Sequence, residues 1–152
     1  MKVWVSIEEI EGEAGLVDKV EADSLLLLTA VGAEGSELSV LLVNDARIAE
    51  LNGQWRAVDG PTDVLSFAQD DADLLGDLVI SVDTARRQGE ARGHSLQTEL
   101  RILLVHGVLH LQGYDHEVDQ VSHDRMAQRE SEIMGRLGWQ GTGLIERVFA
   151  GS

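Results

Sequence analysis

The chain has no cysteine among its 152 residues. That excludes disulfides and thiolate metal sites, so any metal must be held by histidines and carboxylates. The absence also accords with a reducing compartment. No apolar run is long enough to cross a bilayer. Residues 25–31 are apolar, far short of the roughly 20 residues a spanning helix needs. The first ten residues carry charge early and alternate apolar with polar side chains, which is not a signal-peptide pattern. A cytoplasmic location and no membrane partner are the expectation. Basic residues are scarce too: 12 Lys and Arg stand against 27 Asp and Glu, a formal charge of −15. This argues against undirected binding to nucleic acid, which needs Lys and Arg on phosphates. A local basic groove remains open, because Arg47, Arg56, Arg86, Arg87, Arg92 and Arg101 concentrate in the middle of the chain. The acidic runs at residues 8–13 and 69–73 read as solvated loops.

What is present is ordinary globular composition, 43% hydrophobic and 26% charged, at a length suited to one domain with a substantial core. Val3, Val5 and Ile7 alternate with polar neighbours and predict a first strand. Residues 16–31 suit a helix and 37–43 a second strand. Asn44 and Asp45 are N-cap residues for a short helix from Ala46 to about Asn52, with Ile48 and Leu51 facing inward. Gly60 and Pro61, the only proline, mark a loop. Strands follow at 62–67 and 76–82. Asp83 or Thr84 caps a polar helix ending near Gly93, and Ser95 caps a long helix with Glu99 in its first turn. A last helix is expected from Asp119 to Leu137, stopped by Gly138. The tail carries Leu144, Ile145, Val148 and Phe149, which either pack on the domain or cover a partner. The sum is a single α+β domain over residues 1–152, with a mixed sheet of about four strands, about five helices and a tail at 139–152.

Three of the five histidines fall within residues 106–116, spaced H-x3-H-x5-H. His106 and His110 lie on one face of a helix, with Cβ atoms roughly 5–6 Å apart, so both imidazoles can reach one tetrahedral ion. Gly113 permits the helix to stop and reverse through a left-handed residue, returning His116 as a third ligand. A fourth position is then left for water, as in a catalytic zinc site. Imidazoles also suit other divalent metals. The same spacing occurs in metzincin proteases, which place a glutamate directly after the first histidine; here that position is Gly107. Asp115 either orients a histidine or caps the next helix, and Asp77 is either a strand-end turn or a cleft carboxylate. His94 and His123 lie outside the motif and read as ordinary polar residues. Residues 62–67 either edge a cleft or simply pack in the core.

The string His106-Gly-Val-Leu-His110-Leu-Gln-Gly-Tyr-Asp-His116 resembles the signature of the YbeY family of bacterial endoribonucleases. Pro61-Thr-Asp-Val-Leu-Ser-Phe67 is similar to a second hallmark and Gly76-Asp-Leu-Val-Ile-Ser81 to a third. Asn44-Asp45, Leu51-Asn52, Trp55-Arg56 and Glu99 also fall where that family has matching elements. The likeness spans roughly residues 38–138. The chain departs from the pattern at Ala57-Val58, where a Gly-Lys-like pair is usual, at Ala68, where proline is common, and in the tail from Trp139. The resemblance implies a metal-dependent, single-strand-specific endoribonuclease that matures ribosomal RNA, notably the small-subunit 3′ end, and takes part in ribosome quality control. It implies helices around a four-stranded sheet and a metal-binding cleft. It carries over His106, His110 and His116 as ligands of one zinc ion and Arg56 as the groove arginine, a catalytic candidate. Single-stranded RNA, ribosomal RNA and the ribosome are the implied partners. A metal-dependent hydrolase of another substrate, such as peptide, and a non-catalytic ribosome-binding factor are the alternatives.

Overall fold

In the computed structural model the described residues are 2–8, 15–71, 73–141 and 143–145. The elements run β1 (Lys2–Ile7), α1 (Leu16–Ala30), β2 (Glu37–Val43), α2 (Asp45–Arg56), β3 (Val64–Asp71), β4 (Leu74–Ser81), α3 (Val82–Arg92), α4 (Leu96–Leu111) and α5 (Gln120–Leu137). The sheet order is β1-β2-β4-β3. The first three of these are parallel, and β3 runs antiparallel to β4 at one edge. The expected mixed, four-stranded α+β domain is therefore present.

Period-2 alternation divides the sheet into two faces. Leu38, Val40, Leu42, Leu78 and Ile80 point into the main core with α1, α4 and α5. Val43, Leu65 and Val79 point the other way, where Ile48 is buried beneath α2 and Leu51 is partly buried. The inward residues of the short helix are thus the expected ones. Helix α4 is the axis of the main core. Ile102, Leu103, Leu104 and Val105 are all fully buried, so the helix is surrounded on every side rather than amphipathic. Each such side chain contributes roughly 1.5–3 kcal/mol on burial, enough to anchor a helix whose last turn carries polar groups.

Several boundaries differ from the sequence expectation. Helix α2 continues to Arg56 rather than stopping near Asn52. Helix α3 begins at Val82, capped by the Ser81 hydroxyl, which accepts from the Thr84 N–H; neither Asp83 nor Thr84 is the cap. Residues 69–71 belong to β3, with Asp71 opposite Leu74, instead of an acidic loop. Pairing of Asp71 with Leu74, across a register shift after Ala68, extends the strand through this stretch. The acidic residues 9–13 and the tail residues Val148 and Phe149 lie outside the described residues. Among the described residues, no helix is long and apolar enough to cross a membrane.

Candidate metal centre and cleft

Helix α4 presents His106 and His110 one turn apart, at its C-terminal end. The helix stops in a Schellman motif: the Gly113 N–H donates to the His110 carbonyl at 3.0 Å and the Tyr114 N–H to the Leu109 carbonyl at 3.0 Å. Gly113 has φ 99°, a left-handed value that glycine adopts without cost. The reversal returns His116 to the helix end. The three ring centroids then form a near-equilateral triangle, 4.7, 5.1 and 5.2 Å on a side. One ligand-type nitrogen from each ring lies within 4.8 Å of the other two.

The donor set fits a divalent metal. The Nε2 atoms of His106 and His110 are 3.2 Å apart, close to the roughly 3.3–3.4 Å edge of a tetrahedron whose ligands stand at Zn–N distances. His106 Nδ1 faces the Glu130 carboxylate at 2.8 Å. A carboxylate only accepts, so Nδ1 carries the proton and Nε2 offers a bare lone pair. Burial, reinforced by the charge of the neighbouring imidazoles, lowers the pKa of both His110 and His116. Both rings are therefore kept in the neutral form that ligates metal. Among the described residues, His116 Nδ1 is buried without a hydrogen-bond partner.

The cluster opens into a cleft of about 790 Å³ between α2, β3 and the end of α4. Arg56, the last residue of α2, lines the same cleft. Its guanidinium lies 4.9 Å over the Phe67 ring and donates through Nη2 to the Ser66 carbonyl. Both contacts come from β3, so the edge strand positions the arginine. Residues 62–67 accordingly serve both expected roles: Val64, Leu65 and Ser66 line the cleft, while Leu65 also packs beneath α2.

Gly107 has a steric reason. A Cβ there would meet Leu78 Cδ2 at 2.7 Å, because this side of α4 presses on β4. A metzincin-type glutamate has no room at this position. The glutamate that sequence reasoning missed is Glu130. It is fully buried and bound to the Nδ1 side of His106, behind the ring. Its signal was a lone acid within the inward stripe of α5, beside Met126, Ile133 and Met134. Glu99 is likewise fully buried and binds His94 Nδ1 at 3.0 Å, so His94 is a partner for a buried acid. His123 also lines the cleft and contacts Asp124 at 3.1 Å. Asp115 takes neither of its expected roles: it accepts from the Glu117 N–H at 2.9 Å, while Asp119 caps α5. Asp77 bonds Gln69 at 2.8 Å across the β3–β4 pair.

A mixed sheet wrapped by helices, with three imidazoles gathered at an open cleft, defines a small α+β protein with a histidine-only cluster that could hold a metal ion. The family model described as Endoribonuclease YbeY matches residues 6–138, and the chain belongs to the YbeY family. The Endoribonuclease YbeY of Aquifex aeolicus is 44% identical over 124 residues, covering 79% of this chain and 83% of its own length. That of Heliobacterium modesticaldum is 40% identical over 164 residues, covering 92% and 98%. The chloroplastic Endoribonuclease YBEY of Arabidopsis thaliana is 48% identical over 124 residues, and this chain spans only 21% of its length. The solution structure of TM1509 from Thermotoga maritima aligns with a TM-score of 0.58 at 26% identity, covering 90% of this chain and 91% of that one.

Proposed function

We propose that this chain is a zinc-dependent endoribonuclease that cleaves single-stranded RNA, with His106, His110 and His116 as the metal ligands and Arg56 as the catalytic arginine. The observation that carries the reading is the meeting of a three-imidazole cluster and a strand-held guanidinium in one cleft. When bound, a divalent ion polarises a phosphoryl oxygen or acidifies water. The chain's own residues supply the rest. Glu130 holds the His106 proton on Nδ1. Arg56 spends one N–H on the Ser66 carbonyl and Phe67 orients its plane. The remaining N–H groups can grip phosphate oxygens and offset the charge that develops on the phosphorane.

Maturation of ribosomal RNA, notably the small-subunit 3′ end, ribosome quality control, ribosome association and a cytoplasmic setting are proposed on the strength of family membership. A peptide-hydrolase reading finds less support. Its general base is missing at Gly107, and the nearby Glu130 is sealed from the cleft behind His106. The open cleft beside the cluster also favours catalysis over a purely structural metal.

Metal analysis of the purified protein, coupled to cleavage assays on single-stranded RNA and on a peptide pool with a chelator control, tests the reading. Wild type should hold one zinc per chain and cut RNA but not peptide. His110→Ala should lose both metal and activity. Arg56→Ala should keep its metal and lose about 10²–10³-fold in cleavage rate, the typical cost of removing one transition-state donor. Full activity of Arg56→Ala with normal metal content would remove Arg56 from the mechanism.

A further inference from the structure

We infer that residues 143–145, in the segment beyond the family-matched region, are a working part of the metal centre. The Ile145 backbone N–H fixes the Glu130 carboxylate that orients His106; this rests on the reading of His106 as a metal ligand.

Both oxygens of Glu130 are engaged. Oε2 accepts from His106 Nδ1 at 2.8 Å and Oε1 from the Ile145 N–H at 3.1 Å. A carboxylate held at two points cannot swing away from the imidazole. Held at one point, it would leave a fully buried oxygen without its donor, an arrangement proteins avoid. The approach of the segment is close. A Cβ at Gly143 would stand 2.6 Å from Glu130 Cβ and 2.8 Å from Oε1, so only bare backbone fits there.

The segment is anchored independently of His106, His110 and His116. Trp139 is buried, with the Arg101 guanidinium 5.0 Å from its ring centroid. A Cβ at Gly141 would sit 3.3 Å from the His94 ring. Leu144 and Ile145 are buried in the main core and also line the cleft. The matched family region ends at residue 138. This chain therefore builds one supporting contact of its metal centre from residues outside that region. Glu130 and Ile145 act through His106, and so are positioning residues.

Zinc titration into the metal-free, full-length protein tests the inference, with a competing chelator as the indicator. Ile145→Pro removes the donor N–H and should weaken zinc about 10–100-fold, the usual cost of losing support behind a ligand. Gly143→Ala, which pushes the segment off the carboxylate, should weaken it in the same direction. Leu16→Ala, a core truncation in α1, should lower the melting temperature while leaving zinc affinity within about threefold of wild type. Wild-type affinity in Ile145→Pro overturns the inference, as does an equal loss in Leu16→Ala. If Ile145→Pro does not fold by circular dichroism, wild-type affinity in Gly143→Ala overturns it. Zinc binding by wild type with no effect of the tail variants sinks the tail inference alone. No zinc binding by wild type sinks the metal-centre reading and this inference with it.

Discussion

Replacing Gly107 by alanine tests the contact that shapes the helix carrying His106 and His110. The new Cβ would stand 2.7 Å from Leu78 Cδ2 and 3.1 Å from Cδ1. Carbon atoms prefer about 3.5–4.0 Å, so either Leu78 or α4 must yield by most of an ångström. Leu78 extends from β4 and is fully buried, so it yields only by displacing packed neighbours. Overpacking of this kind costs about 1–3 kcal/mol. Against it stands the helix propensity of alanine over glycine, about 0.8–1.0 kcal/mol in its favour. Gly135 separates the two effects. It is helical, in α5, and a Cβ there meets nothing within 4 Å. Gly135→Ala should therefore stabilise by up to about 1 kcal/mol, whereas Gly107→Ala should fall about 1–3 kcal/mol below it. For a chain of this size that gap is roughly 2–12 °C in melting temperature. Urea unfolding of both variants gives the comparison. A double variant, Gly107→Ala with Leu78→Val, should recover part of the loss as a favourable coupling of about 0.5 kcal/mol or more. Gly107→Ala as stable as Gly135→Ala, or no coupling to Leu78, would refute the account. The same geometry predicts that Gly107→Glu will not create a protease, because position 107 faces the sheet rather than the cleft.

Three further outcomes follow from the structure. Burial first, then the neighbouring imidazoles, lowers the pKa of His110 and His116 from 6.5. The unfolded chain then binds more protons below that pH. Metal-free stability should be full above about pH 6.5 and fall as pH drops through the depressed folded values; metal affinity should fall in the same direction. Denaturation at several pH values checks this, and a flat or rising stability toward acid would contradict it. Ala57, after the last residue of α2, has φ 55°, a left-handed conformation that costs an L-residue about 1 kcal/mol or more. Ala57→Gly should raise the melting temperature by a few degrees, and a lowered value would show that the strain is absent. Arg56 is the only Lys or Arg among the described residues lining the cleft. The logarithm of RNA affinity should therefore fall shallowly with the logarithm of salt, with a slope near −0.7 to −1.5 for one or two phosphate contacts. A slope steeper than about −3 would locate the main RNA contacts elsewhere.

The legible parts of the fold were those carried by local pattern. Alternation at Val3–Ile7 and Glu37–Val43, the caps Asn44 and Ser95, and the stop at Gly138 all lie where the sequence predicts. The misread parts were those set by pairing partners. Residues 69–71 look like a loop because their composition is polar, yet Asp71 pairs with Leu74 across a register shift that no side-chain pattern marks. Asp83 and Thr84 look like caps because either side chain suits the role. Which residue caps depends on where β4 ends, and that end leaves the task to Ser81.

The histidine triangle could be anticipated because its three corners and its reversal sit within one short stretch: a helical turn spaces His106 and His110, and Gly113 supplies the left-handed residue that returns His116. Its surroundings could not be anticipated in the same way. Glu130 reaches His106 from 24 positions along the chain, Ile145 reaches Glu130 from 15 further on, and Arg56 is aimed by Ser66 and Phe67 on the β3 edge strand. The sequence by itself determined which atoms can ligate and how the chain turns to present them, since both depend on backbone geometry over a few residues. Tertiary structure alone decided which proton His106 keeps, what stands behind it and what shares its cleft, because those depend on contacts between segments that no local pattern encodes.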